Sequence, residues 1–163
     1  MIIDANVFCG FFQYQIDRPH CLLGCPNKLM LSLSTQNPVY HDLDGIIEHE
    51  WRNLVDRDWF DVWLATSLQS GIVQYQGSVK DPSIESKIKA KGFPTGRDIV
   101  YVRVGLGLVK SQGTCNFFTE DLDFYDPTKK GGTAEARKKI LKKSSGPVAK
   151  ILTKTGLAVL CVP

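Results

Sequence analysis

Apolar and polar positions fall in alternating blocks along this chain, and the blocks predict strands and helices taking turns. Residues 1–6, Met-Ile-Ile-Asp-Ala-Asn, open with an apolar run that has no polar member before Asp4. Such a run reads as a strand buried on both faces, in the middle of a parallel sheet. Asp4 then lies at the strand's carboxyl end, where the loops of open α/β sheets form ligand crevices. Val7, Phe8, Phe11 and Phe12 follow at the spacing of a helix face, and Asn6 can cap that helix or hydrogen-bond the carboxylate. The helix should run out near the Asp17-Arg18-Pro19 turn, and Pro19, Gly24 and Pro26 punctuate the connection after it.

Residues 28–33 suit a short strand or helix, which periodicity over so few positions does not separate, and Asn37-Pro38 ends them. Val39-Tyr40-His41 predicts a second strand leading into the turn Asp42-Leu43-Asp44-Gly45. Residues 46–70 are the most helical stretch. Ile47, Trp51, Leu54 and Val55 share one face, and Phe60, Trp63, Leu64 and Leu68 mark a second helix that ends at Gly71. Glu50 sits at the edge of the first apolar stripe, whereas Glu48 lies two residues, about 200°, around the helix. A carboxylate at a core edge needs a partner, and a metal ion is one candidate.

Residues 72–76 alternate as a strand does, and residues 80–91 form a polar, lysine-bearing helix. Gly92-Phe93-Pro94-Thr95-Gly96 breaks the chain before a helix over 97–109, with Asp98 in its first turn and Ile99, Val102, Leu106 and Val109 on the core side. Its β-branched residues leave strand as an alternative. Residues 113–119 read as a further buried strand. It leads to Glu120, Asp121, Asp123 and Asp126, four carboxylates at one strand end that repel unless solvent or cations screen them. A divalent-metal site explains that crowding, and oxygen donors without a His/Cys cluster favour Mg²⁺ or Mn²⁺ over zinc. Residues 133–143 predict a basic helix, Gly146-Pro147 interrupts it, and residues 157–162 close the chain as a terminal strand. The alternation of strand and helix predicts an α/β fold, a three-layer α/β/α sandwich around a mainly parallel central sheet.

Composition narrows the setting. A chain of 163 residues with 43% apolar content is enough for a single domain over 1–163. No apolar stretch approaches the roughly 20 residues of a membrane span, and the N-terminus lacks the layout of a secretion signal. The five cysteines are odd in number and irregularly spaced, which fits a reducing cytoplasm better than a disulfide framework. His20-Cys21-x-x-x-Cys25 contains zinc-ligand residue types, but the usual second ligand pair does not follow.

The net charge of +3 hides an asymmetry. Within the helical segment 129–154, Lys129, Lys130, Arg137, Lys138, Lys139, Lys142, Lys143, Lys150 and Lys154 face one acid, Glu135, so that segment carries +8 and the rest of the chain −5. An acidic body beside a basic arm predicts a polyanionic partner gripped by the arm.

Four pieces in order resemble the PIN domain, a family of metal-dependent nucleases related in fold to the 5′-flap nucleases. They are Ile2-Ile3-Asp4-Ala5-Asn6-Val7, Ile46-Ile47-Glu48-His49-Glu50-Trp51, Arg97-Asp98-Ile99-Val100 and Phe117-Phe118-Thr119-Glu120-Asp121-Leu122-Asp123-Phe124. The resemblance spans residues 1–126. It implies an acidic quartet at Asp4, Glu50, Asp98 and Asp121, with Asp123 as an auxiliary metal ligand and Glu48 in reserve for the second position. It implies Mg²⁺ or Mn²⁺ as cofactor, with Asn6 and Thr119 orienting the carboxylates. The departure from the family pattern is that Tyr101, Arg103 and the pair Gly105 and Gly107 follow Asp98, where small apolar residues are usual.

The activity so implied is an endoribonuclease, RNA being the commoner substrate in the family, with an antitoxin protein and a second copy of the chain among the partners such enzymes take. The biological settings are a toxin–antitoxin pair, RNA processing and phage defence. Lys129, Lys130, Arg137, Lys138 and Lys142 would hold the phosphate backbone. Two other readings stand beside it. One is a PIN-like module that binds nucleic acid without cutting. The other is a phosphatase or receiver-like domain with Asp4 as phosphoryl acceptor, which would want a second Asp where Asn6 stands.

Overall fold

The computed structural model describes residues 1–15 and 26–162; the proposed turn at 17–19 and the His20-Cys21-x-x-x-Cys25 cluster lie outside the described residues. The chain is mixed α/β, with parallel strands. In order, β1 (Ile2–Ile3), α1 (Ala5–Gln15), α2 (Pro26–Leu31), β2 (Val39–Asp42), α3 (Ile46–Leu54), α4 (Arg57–Gln69) and β3 (Val73–Gln76) make the first half. The second is α5 (Pro82–Lys89), α6 (Ile99–Gln112), β4 (Cys115–Phe118), α7 (Ala134–Lys142), α8 (Pro147–Thr153) and β5 (Leu157–Leu160). Two 3-10 turns, Leu122–Phe124 and Pro127–Lys129, follow β4.

The pairing among the five strands β1–β5 is parallel. β4 lies between β1 and β5, with Ile2 opposite Phe117 and Phe117 opposite Val159, while β2 and β3 form a separate pair starting at Val39 opposite Val73. Met1 ties the two groups together: its carbonyl accepts from the Tyr40 N–H at 3.0 Å and its terminal amine donates to the Pro38 carbonyl at 2.9 Å. Ile2 and Ile3 have no exposed surface, as the unbroken apolar run predicts for a strand covered on both faces. Asp4 N–H still bonds to the Phe118 carbonyl at 2.9 Å, and Thr119 N–H to that of Leu160, so both side chains are held at the same strand end.

The stretch 97–109, with strand left as an alternative, is helix, but over Ile99–Gln112, so Asp98 precedes the helix rather than lying in its first turn. Tertiary burial overrides the weak helix propensity of its β-branched residues. Val100, Tyr101, Val102, Val104, Leu106 and Leu108 are all buried, so α6 is covered around most of its circumference and shows no single apolar stripe. Ile99 and Val109, expected on the core side, are only partly covered. The two glycines have a packing reason. A Cβ on Gly105 would stand 2.6 Å from Leu157 Cδ1, and one on Gly107 would stand 2.4 Å from the Gly77 carbonyl oxygen. Their absence lets α6 lie directly on β5 and on the chain leaving β3.

Phe8 anchors an aromatic cluster, stacked on Trp51 at 4.1 Å between ring centres and set edge-on to Phe60 at 5.7 Å. A second cluster joins Tyr101 to Phe117 at 5.5 Å and Phe117 to Phe124 at 4.6 Å. The apolar stripes of α3 and α4 are narrower than the periodicity suggests: Leu54 and Leu68 are exposed at 42% and 37%. The stretch 28–33 resolves to a helix over Pro26–Leu31, with Leu29 and Met30 buried. The terminal strand ends at Leu160 rather than Val162, and the segment 129–154 is two helices rather than one. α8, which the sequence reading missed, buries Val148, Ala149 and Leu152 and packs against β5. No helix among the described residues is long and apolar enough to cross a membrane.

The close approach at Gly107 gives a test. Alanine normally stabilises a helix interior by about 1 kcal/mol over glycine. Gly107→Ala should instead destabilise by about 2 kcal/mol or more in urea unfolding, because the clash is with backbone. A neutral or stabilising result would contradict the packing.

Candidate functional site

Asp4 is 4% exposed and stands immediately before α1, whose first turn bonds back to it: Val7 and Phe8 N–H groups donate to its carbonyl at 3.0 and 3.1 Å. Its carboxylate accepts from Thr119 Oγ1 at 2.5 Å and from the Asn6 backbone N–H at 3.4 Å. Thr119 is itself fully buried, accepts from the Asp121 N–H at 3.0 Å, and has its carbonyl bonded by the Tyr125 hydroxyl at 2.9 Å. One hydroxyl thus joins the end of β1 to the turn after β4. Asn6 contributes only its backbone; its side chain faces solvent.

The remaining carboxylates come from three other elements. Glu50, on α3, accepts a hydrogen bond from Tyr101 Oη at 2.8 Å, and the same phenol oxygen accepts from the Ala5 N–H at 3.3 Å. Glu48 points elsewhere and takes the Tyr75 hydroxyl at 2.5 Å. Of the two glutamates, Glu50 is the one whose charge acts on Asp4. Asp98 is the residue before α6, with helical backbone and no capping bond, so its carboxylate is spared for the site. Asp121 caps the turn Leu122–Phe124 by accepting from the Asp123 N–H at 2.9 Å.

Burial and the neighbouring acids raise two of these carboxyls, Asp4 and Asp98. Burial first, then the charges of Asp121 and Glu50, push the Asp4 carboxyl up to about 7 against the lowering effect of the Thr119 and Asn6 bonds. Asp98 is raised for the same reasons, by burial and then by Asp121, Glu50 and Asp123. Asp4, Glu50, Asp98, Asp121 and Asp123 therefore share one field. Burial, together with Asp4 and Glu50, holds the Tyr101 phenol far above its ordinary value, so it remains a donor to Glu50.

One cation already sits in this field. Lys130 Nζ lies 2.5 Å from Asp123 Oδ2 and 3.5 Å from Asp121 Oδ1. Partial burial opposes its charge, but the two aspartates win and its pKa is raised. Among the described residues, no group of three or more His, Cys, Asp or Glu side chains is arranged to hold a metal ion as the side chains stand. Thr119 holds Asp4, Tyr101 holds Glu50 and Lys130 holds Asp121 and Asp123. The donor chemistry still fits a hard divalent cation: five carboxylates, no thiolate, no imidazole.

Of the basic residues singled out, Lys129 and Lys130 lie in the turn beside the carboxylates, while Arg137, Lys138 and Lys142 are exposed on α7. The sequence reading missed Tyr101 as a partner of Glu50. The signal was the departure itself, a tyrosine three residues after Asp98 and so one helical turn along. It also missed Asp42, whose buried carboxylate accepts from the Ile46 and Ile47 N–H groups at 2.9 and 2.7 Å and so starts α3, which carries Glu50. Comparison with protein-family models, curated proteins and solved structures finds no match for this chain.

The Asp4 shift has a measurable sign. A carboxyl whose folded value is raised from 3.8 to about 7 binds its proton more tightly in the folded state, so stability is lost as pH rises from about 4 to about 7. His41 works the other way over nearly the same window. Burial, only partly offset by Asp42, lowers it from 6.5 to about 4, so its contribution is lost as pH falls from about 6.5 to about 4. Asp4→Asn should remove the first slope and expose the second. In EDTA at pH 8 the variant should be more stable than the wild type by roughly 2–4 kcal/mol, and its stability should fall on acidification toward pH 4. Equal stability of the two proteins at pH 8 would show that Asp4 is not held against its charge.

Proposed function

We propose that this protein is a metal-dependent endoribonuclease of the PIN type, hydrolysing phosphodiester bonds with Mg²⁺ or Mn²⁺. The observation that carries the reading is the convergence of Asp4, Glu50, Asp98, Asp121 and Asp123, from four separate stretches of chain, into one electrostatic field at the end of β1 and β4. Residues far apart in sequence that repel one another are brought together at a cost, and a site that works only with a divalent cation accounts for it. The reading also takes the two sheets, joined through Met1, as one parallel layer in the order β3-β2-β1-β4-β5 with helices on both sides, a three-layer α/β/α sandwich.

The chain's own residues have separable tasks. Asp4, Glu50, Asp98 and Asp121 would hold the cation, with Asp123 as an auxiliary ligand. When bound, Mg²⁺ or Mn²⁺ supplies water activation and neutralises the charge that develops on the phosphate. Thr119 and Tyr101 hold Asp4 and Glu50 by hydrogen bonds and would orient these two carboxylates toward the cation. Lys130 lends positive charge to Asp121 and Asp123, and Lys129, Arg137, Lys138 and Lys142 face solvent where a phosphate backbone can reach them. RNA is preferred over DNA on the resemblance alone.

A second reading has its own observation. Lys130 already neutralises two of the acids, an arrangement suited to a nucleic-acid-binding module that does not cut. The two readings separate in one assay: labelled single-stranded RNA and DNA with Mn²⁺, Mg²⁺ or EDTA, beside Asp4→Asn and Asp121→Asn. The nuclease reading expects cleavage that needs the metal and disappears in both variants. Metal-independent cleavage would sink it, and salt-sensitive binding without cleavage would leave the second.

Thr119→Val tests the positioning separately. It keeps the shape but removes the hydroxyl between Asp4 and the Asp121 amide, and should lower metal affinity or cleavage rate by about 10–100-fold. Unchanged activity and unchanged metal affinity would show that the hydroxyl only serves the fold.

A further inference from the structure

A cleft beside the carboxylates is not used by anything above. It is lined by Glu85, Ser86 and Lys89 of α5, by Phe93, Pro94 and Thr95 of the connection, and by Ile99 and Arg103 of α6, and encloses about 230 Å³. That is below the roughly 300 Å³ at which pockets for drug-sized ligands begin, so it suits one ring system rather than a whole nucleotide.

Its position is tied to the site on two sides. Ile99 follows Asp98 directly, and Phe93 packs edge-on to Phe124 at 5.3 Å, in the turn between Asp123 and Lys130. Its walls are fixed. Arg103 donates from Nε and Nη2 to both oxygens of Glu85, at 2.9 and 3.0 Å, a bidentate pair that immobilises the guanidinium. Phe93 is 4% exposed and stays in place.

The rim of the cleft is basic and its cations are spare. Lys89, Lys91 and Arg97 are exposed, and none forms an ion pair among the described residues, whereas Arg103 and Lys130 are both engaged. The rim also continues into the basic turn already described: a Cβ on Gly92 would stand 3.6 Å from Pro127 Cβ, so the Lys91-Gly92 turn abuts the one that carries Lys129 and Lys130. Unpaired cations at the end of α5 and on the α5–α6 connection, with a small partly apolar cleft between those helices, have the chemistry of a single-stranded polynucleotide track. Phosphates follow the cations, and a base turns into the cleft.

We propose that the cleft between α5 and the first half of α6 is a base subsite for single-stranded nucleic acid, with Lys89, Lys91 and Arg97 holding the adjoining phosphates. The proposal rests on the nuclease-site reading for its purpose, but not for its measurement, because binding is read with the metal withheld.

The test uses the whole chain in EDTA and a fluorescein-labelled single-stranded RNA oligomer of mixed sequence, with anisotropy followed across salt. Neutralising the rim, as Lys89→Gln, Lys91→Gln and Arg97→Gln together, should weaken binding by about tenfold or more and make the salt slope shallower by about 2, as loss of three phosphate contacts on a single strand requires. Filling the cleft with Ser86→Trp should leave binding of an abasic oligomer of the same length unchanged. It should reduce affinity for the base-bearing oligomer to that abasic level.

All four substitutions are at exposed positions, and matching thermal unfolding curves verify that each variant is folded. RNA affinity within twofold of the wild type in the rim variant would overturn the proposal and leave the cleft to an acidic protein segment. Equal wild-type affinity for abasic and base-bearing oligomers would overturn the base subsite. If the rim variant loses RNA affinity and Ser86→Trp brings the base-bearing oligomer down to the abasic level while the wild type cuts nothing with Mn²⁺, the subsite stands and the nuclease reading fails. If the wild type cuts and the rim variant binds normally, the reverse holds.

Discussion

The repulsion among carboxylates at the end of β1 and β4 is the constraint on which the rest of the site depends. Two unit charges about 4 Å apart repel by roughly 4 kcal/mol at an effective dielectric near 20, more than one charge-assisted hydrogen bond returns. Hydrogen bonds alone therefore do not hold five acids in one field. Thr119 and the Asn6 amide stabilise the Asp4 carboxylate, Tyr101 occupies Glu50, and Lys130 supplies one full positive charge to Asp121 and Asp123. Even so Asp4 and Asp98 stay above their ordinary values, through burial first and the neighbouring acids second.

α6 links that electrostatic problem to the packing of the molecule. Asp98 stands at its start, Tyr101 one turn in, and Gly105 and Gly107 allow the rest of the helix to lie against β5 and the chain after β3. The glycines and the tyrosine thus serve one purpose: close seating of α6 sets where Tyr101 Oη lies between Ala5 and Glu50. Arg103, further along the same helix, is locked to Glu85 and forms one wall of the neighbouring cleft. Tyr101, Arg103, Gly105 and Gly107, all after Asp98 on this helix, each make a specific contact.

Charge is distributed as a centre and a rim. The acids sit inward, at the strand ends, where burial strengthens their field. The lysines and arginines of the α5–α6 connection, of the turn at 127–130 and of α7 face solvent. A rim of this sign attracts polyanions by its field, whereas the inward acids repel them.

Local signals in the sequence determined much of this. The apolar run before Asp4 is legible because a strand covered on both faces needs no polar member. The helices over 46–70 are legible because Ile47 and Trp51 and then Phe60 and Leu64 repeat at the helical period. The acids, too, could be picked out one by one, since each breaks an apolar pattern or ends one. Only the tertiary structure decided which acids meet. Glu50 rather than Glu48 acts on Asp4 because α3 is rotated to bury Ile47 and Trp51, and that rotation depends on what packs against it from far along the chain. Helix over strand for α6, the short helix α8, the Tyr101 bridge and the seat of Lys130 are likewise set by contacts distant in sequence. Local periodicity carries no information about them, because the energy that selects them comes from surfaces that meet only after folding.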